Sequence, residues 1–401
     1  MARLSSVHAA APRAATLAVI AGMLCAPVSA DEVTLRSPDG SIDITGELIS
    51  TDGNILQIQS VFGPLSISAE EVECIGAACP AVDLEQLRPV TWSVSLWGQR
   101  RAFTEHIEKL EDLISERTGG QFRLNISYGG LSPSRENLDG ISRGAFEMAQ
   151  FCAGYHPEKN PSITVLELPF LGVKSMEDEV AVSTAVYQHP AVIADLARWN
   201  ATLLMPTPQP QYNIAGVGTP PTSLESFETM IVRAAGGTGL AIEALGAEAV
   251  TIPAPQVQEA LTSGEVNAVA FAPHAHMAFN TIDSAIWWTT NLNPGTANCP
   301  VVVNTDALRD LPAPYRAALM ASIDESLEHF IDNYNGSTMA AWSAALEDRS
   351  IIELTFSDTI LDAINGDVAG PAAEAWIAEK EALGLPAQEI YQLVEETLSR
   401  L

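Results

Sequence analysis

Between residues 55 and 68 apolar and polar side chains alternate. Leu56 and Ile58 interleave with Gln57 and Gln59, then Leu65 and Ile67 with Ser66 and Ser68. A period of two puts one strand face in a core and the other in water. Asp39-Gly40 and Asp52-Gly53 supply turns, because glycine takes φ > 0 cheaply. Residues 31–80 are therefore predicted to form a small all-β module. A stretch carrying Pro80 and Pro89 links it to the rest, residues 81–401. At Val90 the period changes. Val90–Leu96 reads as a strand; Phe103, Ile107, Leu110 and Ile114 then recur at helical spacing until Gly119-Gly120, and Phe122–Tyr128 is the next strand. A second helix is predicted from about Ser134. This order predicts an α/β unit with a largely parallel sheet, whose ligands bind beyond the C-terminal strand ends. The loops of interest are those after Leu96, after Tyr128, near Phe151, near Asn213 and after Arg233. Residues 312–348 are predicted to be a long helical region broken near Gly336. The stripe Ile390, Leu393, Val394, Leu398 and Leu401 reads as a packing face.

The first 30 residues stand apart. Arg3 and Arg13 accompany the short apolar stretch Ala14–Cys25, and Val28-Ser29-Ala30 is a small-residue cleavage site. Residues 1–30 are thus predicted to be a secretory signal peptide, too short to span a membrane. Gly22-Met23-Leu24 before Cys25 is a poor lipoprotein signal. The 401-residue chain is too long for one ordinary core. Its formal charge of −30 disfavours nucleic acid and anionic lipid as partners. Export permits disulfides. Cys74 and Cys79 flank Gly76 closely enough for a local bridge; whether Cys152 and Cys299 meet is left open by spacing.

Catalytic signals are weak. Gly140-Ile141-Ser142-Arg143-Gly144 fits a nucleophile-elbow string, but that motif needs a strand before it and a helix after it. Here the predicted order is the reverse. Gly236-Gly237-Thr238-Gly239 lacks the P-loop lysine, so its glycines are expected to let backbone approach a ligand at a helix start. His274 and His276 have no third metal ligand nearby in sequence. Trp287-Trp288 is expected to be buried between lobes rather than to line a cleft. The expectation is a binding protein with no cofactor, no metal and no catalytic residues.

From about Arg88 to Leu401 the chain resembles the solute-binding subunit of TRAP transporters, the dicarboxylate-binding periplasmic protein family. The segments that carry the resemblance are Thr118-Gly119-Gly120, Gly144-Ala145-Phe146-Glu147-Met148-Ala149 and Leu166-Glu167-Leu168-Pro169-Phe170-Leu171. They continue in Ile231-Val232-Arg233 followed by Ala244-Leu245-Gly246-Ala247, and in Ala260-Leu261, Gly264 and Val266-Asn267. The N-terminal module resembles a segment of several exported bacterial binding proteins that ends in a Cys-x-Gly-x-x-Cys-Pro-like pattern. The main resemblance implies a two-lobed periplasmic binding protein fold, with crossing strands and a long helix, closing around a small organic anion. It implies small and large TRAP membrane subunits as partners and, with the signal peptide, a periplasmic location. It also implies that Arg233 pairs with a ligand carboxylate, two parallel N–H groups meeting two oxygens. Asn213 stands where some members carry a second arginine. Phe271 stands where the family has a ligand-contacting Asn, with Val269 and Ala270 in place of polar neighbours.

The expected binding set is Arg233, Asn213, Phe271, Trp97, Tyr155, Phe151, Tyr212 and Gly236. One guanidinium amid aromatic rings predicts a monocarboxylate or related anion, such as a sulfonate, with an apolar or cationic remainder. A sensory protein presenting its ligand to a receptor would use the same cleft. An exported enzyme is the third possibility, and it would need a nucleophile–base pair or a metal cluster.

Overall fold

The computed structural model describes residues 32–37, 41–52, 54–80, 84 and 87–401. The predicted signal peptide, the predicted Asp39-Gly40 turn and Gly53 lie outside the described residues.

Strands are numbered in chain order. The first sheet is all-antiparallel, in the order β4 (Gly63–Ser68), β3 (Ile55–Ser60), β2 (Asp43–Asp52), β1 (Glu32–Arg36), β5 (Glu73–Ile75). The alternation seen in the sequence closes its core. Leu56 and Ile58 pack with Val33, Leu35 and Val72, while Gln57 and Gln59 face outward. Cys74 and Cys79 form a disulfide at its edge. The module rests on the remainder of the chain near Leu311, where the Ala313 amide donates to the Glu70 carbonyl at 3.0 Å.

The first lobe is built on a sheet in the order β7 (Phe122–Tyr128), β6 (Val90–Leu96), β8 (Met148–Gln150), β15 (Val301–Asn304), β9 (Ala201–Met205). Both faces are covered. Val301 and Val303 join Val94, Leu96, Ile107 and Phe122 on one side; Val302 and Ala149 join Val186, Ile390 and Val394 on the other. The second lobe holds β12 (Glu248–Val250), β11 (Ile231–Arg233), β13 (Ala268–Phe271), β10 (Asn213–Gly216), β14 (Trp287–Thr289) and β16 (Ile352–Leu354) in that order. Trp287 fills this lobe's core by lying against Gly216, where any Cβ would sit 2.2 Å from the indole ring.

The sheets are mixed rather than largely parallel. β6, β7 and β8 run parallel, but β15 is antiparallel to both β8 and β9, and β10 is antiparallel to β13 and β14. The cause is the chain path. It leaves the first lobe after β9, returns in β15, and these crossing strands enter their sheets from the end that faces the other lobe.

Helices also cross. Ile323–Asn333 packs on Glu105–Arg117 of the first lobe, whereas Met339–Asp348 packs on Pro273–Ala278 of the second. Gly336 does not break the region; Tyr334–Thr338 forms a π-helical turn that carries one helix into the next. Asp358–Ala382 runs from the second-lobe helix Gly237–Ala244 to Ala387–Leu398, which returns the C-terminal stripe to Met176–Tyr187 of the first lobe. Among the described residues no helix is long and apolar enough to cross a membrane.

Candidate ligand-binding site

Between the lobes lies a small cavity lined by residues of both. Its wall comes from the loops past β6 and β8, Glu167, the segments that lead into β10 and β15, and the stretches at and beyond the ends of β11 and β13.

The second lobe supplies Arg233. Along β11, Val232 points into the lobe core, so strand alternation sends Arg233 to the opposite face, shared with Phe271. The guanidinium lies 4.3 Å from the Phe271 ring centroid and is 3% exposed. Its Nε donates to the Ile252 carbonyl at 2.9 Å, Nη1 to the Ala270 carbonyl at 3.4 Å and Nη2 to the Tyr155 hydroxyl at 3.3 Å. A guanidinium has five N–H donors, so one on each terminal nitrogen remains uncommitted. Tyr155, from the first lobe, also accepts from the Ala254 amide at 3.1 Å and so ties the two sides of the cavity together.

The first lobe supplies a second arginine, Arg101. Its Nη1 donates to the carbonyls of Trp97 at 3.1 Å and Gln99 at 2.7 Å. Its guanidinium carbon lies 4.3 Å from the Trp97 ring, 4.7 Å from Phe103 and 5.4 Å from Phe279. Burial lowers its pKa to about 10, which leaves it a cation at neutral pH. The rings continue across the cavity: Trp97 meets Tyr155 at 5.9 Å, Phe279 meets Phe271 at 5.9 Å and Tyr212 meets Phe271 at 6.4 Å, centroid to centroid.

Polar groups complete the wall. Glu167 Oε1 accepts from the amides of Gly154 and Asn298, both at 3.0 Å. Burial nevertheless pushes its pKa up to about 7, against the lowering effect of those two bonds. Gln209 accepts from the Tyr212 hydroxyl at 3.2 Å and donates to the Ala297 carbonyl at 2.8 Å. His274 is neutral, its pKa held well down by burial and then by the Arg101 and His276 charges; it stacks on Phe103. Cys152 and Cys299 are joined by a disulfide that forms part of the wall.

Of the residues expected from sequence, Arg233, Phe271, Trp97, Tyr155 and Tyr212 meet in this cavity. Three do not. Asn213 has its carboxamide engaged inside the second lobe: Oδ1 accepts from Thr289 at 3.1 Å and from the Leu292 amide at 2.9 Å, and Nδ2 donates to Asn293 at 2.8 Å. Phe151 faces the opposite side of its sheet and packs with Ala149, Val302 and Val165 in the first-lobe core. Gly236 makes room for a protein carboxylate rather than for ligand. A Cβ there would sit 2.1 Å from Glu167 Oε2, and one on Gly237 would sit 1.5 Å from the Glu167 carbonyl oxygen. Besides Arg233 the cavity wall holds a second guanidinium, that of Arg101.

Sequence reasoning missed Arg101, Phe103, Glu167, Gln209 and Phe279 as wall residues, whereas His274, for which a polar loop or pocket-rim role is the reading preferred to metal binding, lies in the wall. Arg101 lies in the loop after Leu96, already a loop of interest, and Glu167 lies inside the Leu-Glu-Leu-Pro segment. The other three leave no local signal.

Two α/β lobes, crossing strands and a closed cavity lined by buried cations and rings define a solute-binding protein of the bilobed kind. Residues 94–365 match the family described as bacterial extracellular solute-binding protein, family 7, and the chain belongs to that family. It is thus an extracellular solute-binding protein of that family. Solved structures of TRAP solute-binding proteins share the fold. One from a marine metagenome, specific for pyroglutamate, is 18% identical with a TM-score of 0.68, covering 79% of this chain and 100% of its own. One from Bordetella bronchiseptica with bound (R)- and (S)-mandelate is 18% identical with a TM-score of 0.68, covering 78% and 99%. One from Rhodoferax ferrireducens with copurified benzoate is 15% identical with a TM-score of 0.69, covering 78% and 98%.

Proposed function

We propose that this protein is the periplasmic receptor of a TRAP transporter and that Arg233 holds the carboxylate of its organic-acid ligand. The observation that carries the reading is the place of Arg233: buried at a strand end, fixed by two carbonyls and Tyr155, with an N–H to spare on each terminal nitrogen inside an enclosed aromatic cavity. A guanidinium held this way is already ordered before ligand arrives, so little entropy is lost on pairing. Trp97, Tyr155, Tyr212 and Phe271 offer faces for the apolar body of the acid. The mandelate and benzoate bound by structural relatives are compact acids of this shape. Ligand bridging both lobes would favour the closed form, which then docks on the membrane subunits. The protein performs no chemistry on its ligand in this reading.

The test is a thermal-shift screen of organic acids followed by calorimetry on the best ligand. Arg233→Met should weaken binding by about 2–5 kcal/mol, the usual result of removing one partner of a buried charge pair. That is roughly 30-fold to several thousandfold in Kd. A variant that binds as tightly as the parent removes Arg233 from the site. Turnover of any acid in the screen would remove the receptor reading.

A further inference from the structure

We propose that the hairpin tip Val61-Phe62 of the N-terminal module is a docking anchor for the membrane subunits of the transporter, seated in an apolar socket bordered by basic side chains. The inference rests on the receptor reading above and adds to it a contact that needs no ligand.

Val61 is 90% exposed and Phe62 83%, and no other large apolar side chain among the described residues exceeds 64%. The two are adjacent and make up the turn between β3 and β4, closed by the pair Ser60 and Gly63. The turn itself does not ask for them. Its positive φ, +104°, falls on Gly63, so Val61 and Phe62 stand at positions open to most residues, where polar side chains are usual. They fill no core either, since the module's apolar cluster is closed by Val33, Leu35, Leu56, Ile58 and Val72. The tip is nevertheless held in shape. Ser60 Oγ accepts from the Phe62 amide at 3.1 Å and donates to the Gly63 carbonyl at 3.0 Å. An aromatic side chain presented on a fixed turn suits a binding hot spot, because little is left to order on contact.

The tip stands a strand length from the module's attachment. The module meets the first lobe at Glu70, whose carbonyl accepts from the Ala313 amide, and the β3–β4 hairpin begins beside that contact, where the Asn54 carboxamide donates to Glu70 at 3.1 Å. The six residues of β3 then carry the turn about 20 Å further on. Its surroundings select the partner. Glu47 pairs with Gln59 beside the turn and Glu32 pairs with Glu47, both acids exposed. Arg36 is the sole basic residue among the described residues of the module, against seven acidic ones. An anionic bilayer would be repelled, and so would a second copy of a chain with a formal charge of −30. A protein socket with a basic rim fits both the apolar tip and its acidic flank. The helix Ala313–Ala321 packs in the first lobe through Tyr315 and Leu319, so the tip is carried by that lobe and is presented alike whether the cleft is open or closed. The module precedes the family match, which begins at residue 94, so the anchor adds to whatever surface the lobes present.

The test uses the ligand-free protein and the transporter's own membrane subunits in nanodiscs of phosphatidylethanolamine and phosphatidylglycerol, with discs of the same lipids and no subunits as the control. Interferometry should show the parent binding the subunit discs, more weakly at high salt, and Val61→Ser/Phe62→Ser binding about tenfold more weakly or worse. Phe62→Leu should keep most of the affinity. Both variants should melt like the parent and show its thermal shift with the best acid of the screen. Equal binding by parent and double variant, no binding by the ligand-free parent, or equal binding to discs without subunits would overturn the proposal. A parent dimer in sedimentation that the double variant loses would overturn it as well. The receptor reading is tested apart from this: uptake of that acid by the subunits in proteoliposomes, with the parent but not with Arg233→Met, upholds it even where the tip variant docks like the parent, and no uptake with the parent sinks it.

Discussion

Glu167 lines the cavity proposed to hold the ligand anion, and that should make binding pH-dependent. Its carboxyl is 3% exposed and titrates at about 7 because burial outweighs the two backbone N–H bonds to Oε1. Near neutral pH it is therefore about half ionised. Across a cavity on the order of 7 Å, two negative charges repel by about 2 kcal/mol at an effective dielectric of 20. Ligand carboxylate and ionised Glu167 thus oppose one another, and Kd should rise by about 8-fold as pH goes from 6 to 8. Stability carries the same signature. The folded-state pKa lies above the ordinary 4.5, so the folded protein holds a proton that the unfolded chain releases. The contribution is full below pH 4.5 and is lost as pH rises through 7, about 3 kcal/mol in all. Glu167→Gln retains an oxygen for both N–H groups and removes the titration. Calorimetry between pH 5.5 and 8.5, in buffers of differing ionisation enthalpy, would show proton uptake on binding in the parent and none in the variant. Identical pH profiles for the two proteins would refute the assignment.

The two disulfides should behave differently on removal. Cys74 and Cys79 enclose a short loop worth about 2 kcal/mol in chain entropy, so Cys74→Ala/Cys79→Ala should lower stability by that order and leave ligand affinity unchanged. Cys152 and Cys299 are 147 residues apart and line the cavity, so Cys152→Ala/Cys299→Ala should cost up to about 5 kcal/mol in denaturant melts and weaken binding as well. Gly236→Ala should cost about 2–4 kcal/mol by the same melts, because the position has φ of +57° and the added methyl would strike Glu167. Unchanged melting of this variant would mean that the Glu167 carboxylate is not held against Gly236.

Much of the architecture is legible along the chain because it rests on local periodicity. Val90–Leu96 and Phe122–Tyr128 are strands with those bounds, and the helix between them carries Ile107, Leu110 and Ile114 inward. The β alternation of Leu56 and Ile58, the short Cys74–Cys79 bridge and the family resemblance depend equally on residues close in sequence. Arg233 and the rings of Trp97, Tyr155, Tyr212 and Phe271 were found by combining that resemblance with the rule that ligands sit at strand ends.

What the sequence by itself determined is thus the two-part organisation, the class of protein and most of the aromatic wall. Tertiary structure decided which polar groups are spent and which are free. Asn213 and Phe151 sit at promising loop positions, yet one is consumed by Thr289, Leu292 and Asn293 and the other faces the first-lobe core. Arg101 looks like any loop arginine until Trp97, Phe103 and Phe279 close around it and leave one edge without a partner. Desolvation and hydrogen-bond satisfaction depend on every neighbour in space, and the neighbours of this cavity come from segments as far apart as residues 97 and 299.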